Sequence, residues 1–210
     1  KSERIFKSIN SDHPSYADAQ YYLGRIAFDK EDYDTAEEYF EEAIDENDSK
    51  SDYHLWLGNT FGVVAQNSNV FKQGLLAPKI KSEYERAVEL NSKNEDAMWG
   101  LVQYYTQAPL FIVVCYEKAI DMANELCKLN KLRGHSARVT VYNAQEKYDL
   151  VEKEYKLAAA VDPAWNLNLG YFYQQRGEFA KAFVTFEELE KAQGFKWSAL
   201  YQIGRTSALS

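Results

Sequence analysis

The sequence predicts an all-α fold, a right-handed superhelical solenoid of antiparallel helix pairs with about five repeats and half repeats at both ends. Three observations predict it. The segments YYLGRIAFDKEDYDTAEEYFEEAI, LWLGNTFG, NLGYFYQQRGEFAKAFVTFEEL and YQIGRTSA share one arrangement of Leu or Ile, Gly and aromatics. That arrangement returns at a fixed interval: Gly24 and Gly58 stand 34 residues apart, as do Gly170 and Gly204. Within the segments the apolar residues recur at helical spacing, on pairs of short helices that cannot bury their apolar faces alone. Such units stack into a curved rod whose hollow side is a binding surface, so the whole chain, 1–210, reads as one elongated domain.

The first repeat, 17–50, pairs a helix over 17–30, with Ala19, Leu23, Gly24 and Ala27 on one face, with a helix over 33–46 that carries Ala36, Phe40 and Ala43. Small residues at Gly24, Ala36 and Ala43 let the axes approach, while Leu23, Tyr33 and Phe40 fill the remaining space. With these residues the chain resembles the tetratricopeptide-repeat family over essentially its whole length. The second repeat, 52–93, keeps Leu57, Gly58 and Phe61 in register but delivers Tyr84 and Ala87 late. Ala43 to Ala87 is 44 residues against a period of 34, an insertion of ten. The third, 95–130, has Ala97, Leu101 and Tyr105, then pauses over 107–115 before Ala119, Ala123 and Leu126, a further insertion of five. The fourth, 131–163, carries Tyr142, Tyr148, Tyr155 and Ala158, and Pro163 stands where the family commonly ends a repeat. The fifth, 164–195, supplies Leu169, Gly170, Tyr173, Gly177, Phe179, Ala182 and Phe186. Phe6 and Ile9 read as the remnant of a preceding helix, and 197–209 as a lone capping helix with Leu200, Ile203 and Gly204 turned inward and Gln202 and Arg205 outward.

Composition narrows the function classes. The chain is 46% hydrophobic and 15% aromatic, enough for a core, and no apolar run reaches the roughly 18 residues of a membrane span. A net charge of -8 opposes a phosphate backbone, and no stretch concentrates Lys and Arg with stacking aromatics, which argues against a nucleic-acid partner. The Asp and Glu crowded into 31–52 read as a solvated helix face, with an acidic docking patch as the alternative. Cys115 and Cys127, on one helix, stand about 18 Å apart along its axis and cannot pair.

The two insertions fall at turns on one edge of such a rod, which predicts that 64–79 and 107–115 are neighbours. Both are apolar, with Val70, Phe71, Leu75 and Leu76 in the first and Leu110, Phe111 and Ile112 in the second. They form either a local minicore or an exposed edge that receives a partner or a second copy of the chain. The run AQNSNVFKQGLLAPKIKSEYERAVELN and the later GLVQYYTQAP resemble, over 56–145, a group of bacterial tetratricopeptide proteins with lengthened second and third repeats. That resemblance implies export to the cell envelope or periplasm. Those relatives are glycine-rich after the Gln-Ala-Pro, whereas this chain reads LFIVVC; stiff β-branched residues there do not make a mobile loop.

Chemistry is sparse. His13, His54 and His135 are each isolated from Cys or acidic partners at ligand spacing, so no metal is expected; His54 and His135, at comparable places in their helices, read as packing residues. No phosphate-binding loop, dinucleotide fingerprint or nucleophile elbow occurs, and the Glu41 and Asp45 pair suits solvation better than acid–base work. No cofactor and no enzymatic activity are expected.

Following the register, the hollow side is lined by Tyr21, Arg25 and Phe28, then Leu55, Trp56 and Asn59, then Trp99 and Gln103. The fourth repeat adds Ser136, Thr140 and Asn143, the fifth Leu167, Asn168, Tyr171 and Gln174, and the cap Tyr201 and Arg205. Aromatics supply low-entropy contact area and carboxamides bond a peptide backbone, which points to a protein or peptide partner. The Lys and Asn clamp by which some family members hold a terminal carboxylate is missing: Tyr21, Leu55 and Trp99 stand where its first Lys would recur. The sequence-level expectation is a non-catalytic binding scaffold. The alternatives are an assembly subunit joined through the edge at Phe71, Leu110, Phe111 and Ile112 and, less well supported, a small-molecule site or enzyme under Phe71 and Phe111.

Overall fold

Every regular element in the described residues is helical, and the helices pack in adjacent antiparallel pairs. The structure is a computed structural model that describes residues 2–107, 115–191 and 196–209. These fall into two compact units, Lys1–Ala119 and Ile120–Ser210.

The first unit holds α1 (Ser2–Phe6), α2 (Tyr16–Asp29), α3 (Tyr33–Glu46), α4 (Ser51–Gln66), α5 (Val70–Leu90) and α6 (Glu95–Gln107). Helix α7 (Tyr116–Leu129) carries the boundary between the units. The second continues with α8 (Lys131–Ala144), α9 (Tyr148–Val161), a 3-10 turn at Pro163–Trp165, α10 (Asn166–Gln175), α11 (Phe179–Lys191) and α12 (Lys196–Leu209). The starts of α3, α5, α6 and α8 are capped by short polar side chains. Asp32 accepts from the Thr35 amide, Asn69 from Lys72, Asn94 from Ala97 and Asn130 from Arg133.

Three hairpins close by one device. Glu31, Glu146 and Gly177 adopt φ of 62°, 55° and 71°, and the next amide reaches back to a carbonyl five residues earlier: Asp32 to Ala27, Lys147 to Tyr142, Glu178 to Tyr173. Only one of the three is glycine, so Glu31 and Glu146 hold a conformation their Cβ disfavours.

Aromatic side chains of second helices press onto glycines of first helices. A Cβ built on Gly24 would lie 2.7 Å from Phe40, and one on Gly170 2.2 Å from Phe186; both rings are fully buried. Each pair is 16 residues apart. Gly58 receives Tyr84 in the same way at a spacing of 26, and the surplus of ten is the insertion noted in the sequence. That insertion does not form a loop at the turn. It lengthens the helices to 16 residues in α4 and 21 in α5, against 14 each in α2 and α3. Pro78 sits inside α5 on its exposed side.

The C-terminal helix is rotated relative to the sequence expectation. Ala199, Gln202 and Thr206 are buried and Ile203 packs against the core, whereas Leu200 and Gly204 are exposed. Two hydrogen bonds explain why Gln202 and Thr206 face inward: Gln202 Nε2 donates to Tyr171 Oη at 2.8 Å, and Thr206 Oγ1 accepts from Gln174 Nε2 at 2.7 Å.

Candidate functional site

In the first unit the expected lining positions lie on α2, α4 and α6. Tyr21 and Arg25 are one helical turn apart, and Arg25 Nη1 donates to Tyr21 Oη at 3.1 Å. The same guanidinium lies 3.6 Å from the centre of the Trp56 ring. Its Nε is buried and has no acceptor among the described residues, which also provide no carboxylate within ion-pair distance of it. Trp56 and Trp99 are half-buried and Gln103 is exposed. Tyr21 is buried and stacked on Tyr53 with 5.0 Å between ring centres, and burial raises its phenol above the ordinary value. Leu55 is buried, and Phe28 packs edge-on against Trp56. Asn59 is committed internally: its Oδ1 accepts from Tyr84 Oη at 2.9 Å, and burial pushes the Tyr84 phenol up to about 12.

In the second unit Asn143 and Asn168 are exposed, while Ser136, Thr140 and Leu167 are half-buried. Tyr171 and Gln174 are also half-buried, and their polar atoms are joined to Gln202 and Thr206 of α12. Tyr201 and Arg205 are exposed. The row expected from register lies on the first helices, but Tyr21 and Leu55 are buried in the core, and register does not reveal which members are already bonded to a neighbouring helix.

A cleft of about 210 Å³ opens between α4, α5 and α6, within the first unit. Gln103 borders it, and so do Gly62, Tyr84, Gly100 and Tyr104, none of which the sequence marked as a site. The available signal was Gly62 itself, a second glycine four residues after Gly58 and outside the 34-residue register.

Two of the three histidines, His54 and His135, meet a carboxylate across their hairpin. His54 Nδ1 lies 2.7 Å from Glu83 Oε2, and His135 Nδ1 lies 2.7 Å from Glu154 Oε2. His54 Nε2 is 3.1 Å from the Asp48 carbonyl. Sequence spacing conceals the equivalence: 29 residues separate the first pair and 19 the second, again differing by the ten inserted into α4 and α5. Each pair ties a first helix to the second helix of its own hairpin. Among the described residues no three His, Cys, Asp or Glu side chains are grouped to hold a metal ion, and no helix is long and apolar enough to cross a membrane. Cys115 and Cys127 are free thiols.

On α5, Val70, Phe71 and Leu75 are 53%, 76% and 60% exposed, while Leu76 and Ala77 turn into the core. The remainder of the expected edge, Leu110, Phe111 and Ile112, lies outside the described residues.

The family model for the tetratricopeptide repeat matches residues 6–59. A curated mouse protein, Superkiller complex protein 3, is 28% identical over 125 residues, which are 58% of this chain and 8% of that protein's length. Solved structures share the fold. A tetratricopeptide repeat protein from Parabacteroides merdae superposes with a TM-score of 0.67 at 13% identity, covering 99% of this chain and 85% of its own. A thermophilic one from Thermus thermophilus gives 0.57 at 19%, covering 91% and 99%. YrrB, described as having an unusual peptide-binding site, gives 0.59 at 15%, covering 95% and 97%.

Proposed function

We propose that the chain, which matches the tetratricopeptide-repeat family model over residues 6–59 and shares the fold of solved tetratricopeptide-repeat proteins, is a non-catalytic scaffold that holds a peptide or protein segment against the open faces of its first helices. The observation that carries this reading is the Arg25 and Trp56 pair. The guanidinium lies over a half-buried indole and meets no carboxylate among the described residues. Stacking fixes the guanidinium without neutralising it, so it is oriented for a carbonyl or carboxylate brought by a ligand. Trp99 and Gln103 extend the surface in the first unit; Asn143, Tyr171 and Gln174 are the corresponding positions in the second. YrrB shares the fold and has a peptide-binding site, which supports a peptide as the ligand class.

The test starts from peptides selected out of a random displayed library on the immobilised chain and titrated by calorimetry. Trp99→Ala and Arg25→Ala should each weaken a selected peptide by about 2 kcal/mol, some thirtyfold, if they are anchors. Both variants binding as wild type would move the site elsewhere. Asn59→Ala is unsuited to this purpose, because it leaves the buried Tyr84 hydroxyl without its acceptor.

A second reading, an assembly subunit, is favoured by the exposed Val70, Phe71 and Leu75 on α5. Phe71→Glu with Leu75→Glu should lower the sedimentation mass without loss of helicity. A mass equal to a monomer in both wild type and variant rejects that reading.

A further inference from the structure

The cleft between α4, α5 and α6 has an unusual lining for a chain in which 27% of residues are charged: among its described lining residues none is Asp, Glu, Lys, Arg or His. Its floor is apolar, from Ala77, Ile80 and the ring of Tyr84, and its rim carries the carboxamides of Gln66, Gln103 and Gln107. The Tyr84 ring is wedged between Gly58 and Gly100, where an added Cβ would fall 2.9 Å and 2.6 Å from it, so the floor is fixed in place. Gly62 differs. A Cβ there would meet nothing nearer than Tyr84 Oη at 3.7 Å, so helix packing does not demand a glycine in the middle of α4, where it weakens the helix. What its missing side chain preserves is the open volume.

Size and polarity select the ligand. About 210 Å³ is below the 300 Å³ or so at which pockets begin to enclose a drug-sized molecule, and above the ~150 Å³ that holds a benzene ring. Carboxamides offer donors and acceptors without charge, matching peptide amides, whereas an ionised group seated there would lose water without gaining a counter-charge. We propose that this cleft is a second binding site, which seats one aromatic or branched aliphatic side chain of an uncharged peptide segment and bonds the flanking amides through Gln66, Gln103 and Gln107. It deepens the reading of the chain as a peptide-binding scaffold and rests on it, but shares only Gln103 with the Arg25 and Trp56 surface.

The probes are N-acetyl-phenylalaninamide and N-acetyl-phenylalanine, which differ in a terminal charge, titrated into the full 15N-labelled chain. With the amide, the Gly62 and Gly100 resonances and the side-chain amides of Gln103 and Gln107 should shift saturably. The carboxylate should bind at least about tenfold more weakly. Gly62→Leu, which fills the open volume, should abolish the shifts while the thermal transition remains cooperative. Should Gly62→Leu fail to fold, Gln103→Glu at its exposed position should weaken the amide probe by a similar factor. Equal binding of both probes, or unchanged shifts in Gly62→Leu, overturns the proposal. Shifts that map to Trp56 and Trp99 and survive Gly62→Leu would sink the cleft and leave the first-helix surface standing; cleft shifts that persist while Trp99→Ala and Arg25→Ala leave selected peptides unaffected would do the reverse.

Discussion

Alanine in place of glycine should have opposite consequences at two helical positions of this chain, because the space a new Cβ meets is different. At Gly134 in α8 it would fall 2.2 Å from Cys127 Cβ and 2.3 Å from Cys127 Cα, the latter being backbone. Ordinary contact begins at 3.4 Å, so α7 and α8 must part locally by about 1.2 Å (3.4 − 2.2). A backbone atom cannot swing aside as a side chain can. Overpacking of this kind costs about 3 kcal/mol at the upper end of its usual range, and alanine's better helix propensity returns about 1, leaving a net loss of about 2 kcal/mol. At Gly62 the nearest atom is 3.7 Å away, so the propensity gain stands alone and Gly62→Ala should stabilise by about 0.5–1 kcal/mol. Urea titration followed by circular dichroism measures both. The thermal midpoint adds information: the loss at Gly134 lowers it by about 8–16 °C if the 91 residues from Ile120 to Ser210 (210 − 120 + 1) unfold by themselves, and by about 4–8 °C if the chain melts as one. Gly134→Ala as stable as wild type would refute the close approach of these helices.

Other expectations follow from single observations. Glu31→Gly and Glu146→Gly relieve a left-handed backbone at hairpin turns and should each raise stability by about 0.5–1 kcal/mol, seen as parallel shifts of the urea midpoint; no shift would mean that the turns carry no strain. His135→Ala removes the 2.7 Å hydrogen-bond partner of Glu154, whose side chain is 8% exposed, and should cost about 2 kcal/mol, with Arg138 still 3.5 Å away. Removing both members, as His135→Leu with Glu154→Leu, should recover most of that loss; a double variant as unstable as the single would contradict it. For Tyr84 the folded phenol is pushed up from 10.0 to about 12, so its contribution is fully present below pH 10 and is lost as pH rises through 12, at up to about 1.4 kcal/mol per pH unit. Tyr84→Phe should reduce the slope of stability against pH in that window by one proton's worth. An unchanged slope would show that the ring ionises as freely folded as unfolded.

The parts of this fold legible in the sequence are those in which one residue type meets another at a fixed spacing. Gly24 with Phe40 and Gly170 with Phe186 give the hairpin directly, because a ring can approach a helix so closely only where a Cβ is missing. The ten-residue insertion was legible as a length but not as a shape. Asn69 starts a helix within the stretch that the sequence placed as an insertion at the turn, and Pro78, ordinarily a boundary signal, sits on its exposed side. The His54 and Glu83 pair escaped notice because partners across a hairpin have no characteristic separation once the hairpin changes length. Among candidate site residues, register places the row on first helices, but Tyr21 and Leu55 are buried, and hydrogen bonds between helices decide which of the others are free. Gln174 and Tyr171 are bonded to α12 by residues whose inward rotation no apolar pattern announced. Gly62 was visible as a surplus glycine, yet only the absence of any close neighbour gives it meaning.

The lengthened hairpin of α4 and α5 keeps at its foot the glycine-on-ring contact of the α2–α3 and α10–α11 hairpins, since Gly58 still receives Tyr84, and the His–Glu tie of the α8–α9 hairpin, since His54 meets Glu83. The added turns are confined to its far end, around the Asn69 cap. A paired helical arm can thus be extended or trimmed at its apex without disturbing the joints by which it is fitted to the next repeat. The apex is where this architecture accommodates novelty, and where a designer could exchange a recognition element while leaving the framework intact.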